Sequence, residues 1–129
     1  MRKTQLTLEF LAMTIAILLV LLTISIVASA YYYKELNIKR DEEIRKIGIK
    51  IKQEISMASI SHEGYVHVFQ LPANILGKQY NITSIGEQGV IKILTDKGEY
   101  YYKTPIFNGS IIKGENTIRK TNKGVIINE

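Results

Sequence analysis

Few side chains in this sequence have the type and spacing that chemistry requires. His62 and His67 are its two histidines, standing at i and i+5 with no acid cluster around them. They fall short of the ligand set a zinc site needs. There is no cysteine, which excludes disulfides, iron–sulfur clusters and thiolate metal sites. Neither a nucleophile elbow nor a phosphate-cradling glycine loop occurs, and most glycines fall where turns are expected. These absences point to a non-enzyme with no catalytic residue, no metal and no cofactor. Tyr100–Tyr102 would alternate between the faces of a strand, so packing explains them first and a surface aromatic patch for adhesion second. Asn81-Ile82-Thr83 and Asn108-Gly109-Ser110 are N-glycosylation sequons, with Asn108 expected in a turn. One carboxylate is out of place: Glu9 is the single charge between Leu6 and Ala30.

The surroundings of Glu9 define the first element. Phe10–Ala30 is uncharged, built mainly of Leu, Ile, Val and Ala, and free of Gly and Pro. About 20 such residues rising 1.5 Å each match a hydrocarbon core of roughly 30 Å. Tyr31–Tyr33 follows, where amphipathic rings favour the membrane–water boundary. A continuous transmembrane or membrane-derived helix is expected. The alternative is a secretory signal peptide cut after Ala28-Ser29-Ala30, but the run is longer than the apolar centre of about 7–15 residues such peptides carry. Arg2 and Lys3 precede the helix, and seven basic residues lie between Lys34 and Lys52. Counted alone, these put the C-terminal side in the cytoplasm, against export.

The stretch Met1-Arg-Lys-Thr-Gln-Leu-Thr-Leu-Glu-Phe10 resembles the class III signal peptide of archaeal type IV pilin-like proteins. In that family a short basic leader is removed just before a Gln, with Ser and Glu at the third and fifth mature positions. The resemblance implies prepilin-peptidase cleavage between Thr4 and Gln5, with Glu9 at the fifth position. Thr7 stands where Ser is usual, and Thr4 where a Gly or another small residue is common. Such a cut leaves the whole apolar helix in the mature chain, as a membrane anchor first and an assembly surface later.

Two readings of Glu9 stay open. It is a helix-start acid favoured by the positive end of the helix dipole, or in a helix bundle it pairs with the new α-amino group at Gln5 of a neighbouring subunit. The resemblance favours the second, in which a buried charge without its partner penalises wrong axial register.

Beyond Tyr33 the helical pattern continues. Ile44, Ile47, Ile51, Ile55 and Ala58 form one apolar stripe, Glu42 and Lys46 an i,i+4 ion pair, and Gly48 a place where the helix can bend. The stripe fits either docking on a small sheet or a surface or coiled-coil face. After Gly64 the pattern turns to short β-favouring runs: 65–71, 80–85, 89–95, 99–103, 110–113, 117–121 and 124–128. Thr95-Asp-Lys-Gly-Glu99 and Thr121-Asn-Lys-Gly-Val125 read as hairpins. Without a disulfide a head of this size is marginal alone, and docking the Ile stripe on its sheet would complete its core. The expected fold is α+β, a long N-terminal helix packed on a small antiparallel sheet. Its expected parts are a leader 1–4, an assembly helix 5–33, an amphipathic continuation 34–62 and a β-rich head 63–129.

The resemblance implies a structural pilin. It would sit in the cell membrane before assembly and then polymerise with itself through its N-terminal helix into an adhesive extracellular filament. Its partners would be the prepilin peptidase and a separate assembly motor and platform. The rival is a single-span membrane protein that never polymerises and whose small extracytoplasmic head binds a partner. The net charge of +5 comes from Lys spread among Glu, a solvated face rather than a nucleic-acid footprint.

Overall fold

The computed structural model describes residues 2–129. One long helix, α1 (Arg2–Ile60), precedes seven strands: β1 (Val66–Leu71), β2 (Asn81–Ile85), β3 (Val90–Thr95), β4 (Gly98–Lys103), β5 (Phe107–Gly109), β6 (Gly114–Thr121) and β7 (Gly124–Ile127), with a 3₁₀ turn at Gly86–Gln88. The chain divides into two compact units, one ending at Lys39 and the other running from Arg40 to Glu129. The second half of α1 thus belongs with the strands. The last turn of α1 closes as Ser61 donates both its N–H and its hydroxyl to the Met57 carbonyl, at 3.1 and 2.6 Å.

The fold is α+β, with α1 packed against small sheets. The strands divide into two sheets, where the sequence suggested one. The first, ordered β1-β6-β7-β5, is mixed, because β5 runs parallel to β7; the second, β2-β3-β4, is antiparallel. A two-residue turn returns β7 antiparallel to β6, and β5 lies at the far edge of that sheet in the direction of β7. Pro105, lacking an N–H, ends the run that follows β4 and lets the chain cross between sheets.

Both expected hairpins form with the same chemistry. Thr95 pairs with Gly98 and Thr121 with Gly124. Each threonine hydroxyl donates to the glycine carbonyl, at 3.2 and 3.1 Å, and accepts the N–H of the turn lysine at 3.3 Å. Gly98 and Gly124 take φ of 148° and 129°, a region side chains rarely enter.

The core forms between α1 and the two sheets. Ile44, Ile47, Ile51, Ile55 and Ala58, the whole expected stripe, are at most 5% exposed. They meet Phe69 and Leu71 of β1, Ile91 and Ile93 of β3, Phe107 of β5, Ile118 of β6, and Val125 and Ile127 of β7. Each such side chain contributes about 1.5–3 kcal/mol on burial, which a head of this size needs. The helix runs unbroken through Gly48. Its face receives the Tyr102 ring so closely that a Cβ would sit 2.3 Å from the ring.

Three expectations give way locally. Ser110–Lys113 is irregular instead of a strand, because two asparagines take its backbone bonds. Fully buried Asn116 accepts the Ile112 N–H at 2.9 Å and donates to the Ile112 and Gly114 carbonyls at 2.8 and 3.1 Å. Asn128 donates to the Ser110 carbonyl and to Asn116 Oδ1, each at 2.8 Å. Asn108-Gly109 lies in β5 and not in a turn, held by Phe107, which is 1% exposed, and by pairing to Ile126 and Ile127. On α1, Lys46 takes Glu43 at 2.6 Å as its partner in place of Glu42, which adds only a nearby attractive charge.

Candidate assembly and membrane-anchoring helix

Residues 2–35 of α1 are exposed on every side. Leu, Ile, Val, Met and Phe side chains from Leu6 to Val27 are 50–72% exposed, in every direction around the helix. The helix is long and apolar enough to cross a membrane, and none of its most apolar window is buried. Three of its hydroxyls turn back onto the helix. Thr14 donates to the Phe10 carbonyl, Thr23 to Val20 and Ser29 to Ser25, each at 2.8 Å. In hydrocarbon an unmade hydrogen bond is costly, and these three donors are satisfied within the helix. Tyr31, Tyr32 and Tyr33 close the segment at 62–70% exposure.

Glu9 is exposed and has no ion-pair partner among the described residues. Gln5 stands one turn before it. Thr4 and Gln5 are both helical and exposed, so the bond between them lies inside a helical turn. Cleavage there requires local unwinding, which helix ends undergo readily. Thr7, at the position where the pilin-like pattern has Ser, donates back to Lys3 at 3.0 Å and to Thr4 at 2.9 Å, spanning that bond.

From Arg40 onward α1 is tied to the strands by contacts the sequence did not reveal. Arg40 reaches both carboxylate oxygens of Asp96 at 3.3 Å, and Lys97 stands 3.6 Å from Asp41. An Arg-Asp pair on the helix thus faces an Asp-Lys pair in the β3–β4 turn. Tyr100 Oη donates to Asp41 at 3.2 Å, Lys50 to the Gln70 carbonyl at 2.7 Å and Lys120 to the Ser59 carbonyl at 3.0 Å. The signal for the first of these was the adjacency of opposite charges at 40–41 and 96–97, which becomes a pattern only when the turn is set against the helix.

The tyrosines of β4 alternate as expected. Tyr100 and Tyr102 turn inward, while Tyr101 is 62% exposed beside Lys92 and Glu99. Lys92 lies 2.8 Å from Glu99 and Tyr101 donates to the same carboxylate at 2.5 Å. These hydrogen bonds, that from Lys92 first, hold the Glu99 carboxyl below its ordinary range. Burial raises the phenol pKa of Tyr80, Tyr100 and Tyr102 above the usual value. Each phenol therefore holds its proton more tightly folded than unfolded. Its contribution is complete below about pH 10 and is lost as the pH rises through the folded-state values. Urea unfolding of the head should give a lower midpoint at pH 11 than at pH 8, and Tyr102→Phe should reduce that loss.

His67 Nε2 lies 3.5 Å from Glu54, and His67 stacks on Tyr65 at 6.3 Å. His62 lies just past the end of α1, its carbonyl accepting the Tyr65 N–H at 3.3 Å. No group of three or more potential metal ligands occurs among the described residues. Both sequon asparagines are exposed, Asn81 at the start of β2 with Thr83 on the same face, and Asn108 in β5. Compared with protein-family models, curated proteins and solved structures, the chain matches none.

Proposed function

We propose that this chain is a subunit of an archaeal type IV pilus-like filament, processed between Thr4 and Gln5, held in the membrane by α1 and assembled outside the cell through the same helix. The observation that carries the reading is the apolar helix exposed on all sides with Glu9 as its one charge between Leu6 and Ala30. Leaving lipid requires another apolar environment, and copies of the same helix provide one. Contacts between copies that are heterologous and do not close build a filament. Extraction from the membrane is work for a separate motor and platform. The exposed sequons at Asn81 and Asn108 suit glycosylation of an exported head, and Tyr101 suits an adhesive surface.

Glu9 is the residue this reading depends on. A carboxylate in a helix bundle needs a cation, and cleavage before Gln5 creates one a turn away on each neighbour. Glu9→Ala should leave expression, processing and membrane insertion unchanged and reduce sheared filament yield about tenfold or more, the effect of losing a buried charge pair worth some kcal/mol. Abundant normal filaments from that variant would contradict the register role. The rival reading, a non-polymerising single-span protein, leaves the Gln5 and Glu9 spacing without a purpose.

A further inference from the structure

The two sheets have four outer edges, and three are guarded. β5 is three residues long and abuts the Gly86–Gln88 turn, where Gly86 packs directly on the Phe107 backbone. β2 is touched by the irregular segment at one side chain, the Ile111 N–H donating to Ser84 Oγ at 3.4 Å. β4 carries Glu99 and Lys103, charges of the kind that discourage edge pairing. The fourth edge, β1, is the longest of the three edges without Lys, Arg, Asp, Glu or Pro. Its sequence, Val66-His-Val-Phe-Gln-Leu71, has no Lys, Arg, Asp, Glu or Pro over six residues.

The register shows which of its backbone groups are free. Gly64 donates to the Lys120 carbonyl at 3.0 Å, and Lys120 donates to the Tyr65 carbonyl at 2.8 Å, so two residues of one strand oppose one of the other, as at a bulge. From there the β1–β6 ladder alternates. His67 and Phe69 exchange bonds with Ile118 and Asn116, while Val66, Val68 and Gln70 turn their N–H and C=O groups outward. The Gln70 carbonyl is taken by Lys50 at 2.7 Å. Those of Val66 and Val68 have no partner among the described residues. Their side chains, 54% and 48% exposed, lie on the outer face.

We infer that the free edge of β1 is a self-association site, pairing antiparallel with β1 of a second copy about a twofold axis at His67. In that register Val66 exchanges two hydrogen bonds with the partner's Val68, and Val68 two with the partner's Val66, using all four outward backbone groups of these two residues. A twofold axis brings like residues together, and β1 itself supplies no charge against its own copy; the charges that reach it are those of α1, Lys50 at Gln70 and Glu54 at His67. Arg119, opposite Val66 on β6, lies three strand spacings from the partner's Arg119, about 14 Å and beyond the reach of strong repulsion in salt. The contact is separate from the helix surface and does not depend on the filament reading.

The chain has no cysteine, so single-cysteine variants report this register directly. In detergent with micelles in excess over chains, His67→Cys places two thiols at a directly opposed, non-hydrogen-bonded pair, within disulfide reach. Val68→Cys, one position away and half exposed, places them on the diagonal, about 7–8 Å apart and too far. Association through α1 is common to both variants and cancels. The expected result is a disulfide-linked dimer of His67→Cys in about tenfold excess over Val68→Cys, reduced to the Val68→Cys yield when Val66→Lys is added. Equal yields from the two variants, absence of dimer from both, or a His67→Cys yield unchanged by Val66→Lys would each overturn the inference.

Discussion

Ile51→Ala should remove about 2–5 kcal/mol from the head, the cost of a buried large-to-small change that leaves a cavity. Ile51 is fully buried at the middle of the α1 stripe, among side chains drawn from both sheets. A domain of this size has net stability of only about 5–15 kcal/mol, so the loss is a large part of the whole. The change should appear as a lower denaturation midpoint of the β-sheet signal, with the slope unchanged. The apolar segment before Lys39 lies in the other compact unit, so its helicity in micelles should persist. A cost below about 0.5 kcal/mol, usual for surface positions, would mean that the stripe does not complete the core.

The second large effect changes sign with its background. Gly48→Ala adds a Cβ where the Tyr102 ring already lies, 2.3 Å from its nearest atom. The ring must swing out and lose its packing, and overpacking of this kind costs about 1–3 kcal/mol. Alanine is also the better helix residue by about 1 kcal/mol, a gain that the clash conceals. With Tyr102→Ala already in place the same substitution should therefore stabilise the head by about 1 kcal/mol. A double-mutant cycle over the two positions measures the coupling directly. Destabilisation of the same size in both backgrounds would show that Gly48 matters for a reason other than the ring.

These two sites also show what the sequence could and could not reveal. The stripe was legible because helical period and residue type agree at Ile44, Ile47, Ile51, Ile55 and Ala58, and burial follows period. Gly48 was not, because a glycine in a helix reads as a local weakness until the strand that covers it is placed; its partner lies more than fifty residues away in sequence. The two Thr-x-Lys-Gly turns were legible, being short-range chemistry. The division into two sheets was not, since a parallel β5–β7 pair depends on where the chain crosses after Pro105 and not on any local pattern. Asn116 shows the opposite failure. In β6 it resembles an ordinary polar strand residue, yet it is fully buried and replaces the ladder for the segment before it. In the helix, Glu9 was conspicuous from composition alone, because one charge in a long apolar run stands out in any conformation. The free edge of β1 needed the strand order as well, although the lack of charge over six residues was visible from the start.

In the proposed function α1 stays in the mature chain while the four residues before Gln5 are removed. Intact-mass spectrometry of the protein recovered from cell-surface material tests this most directly. The expected mass is that of a chain beginning at Gln5, without Met1-Arg-Lys-Thr4 and with any glycan on Asn81 or Asn108 as a separate increment. A full-length chain still carrying Arg2 and Lys3, or one beginning at Tyr31 after cleavage behind Ala30, would contradict it.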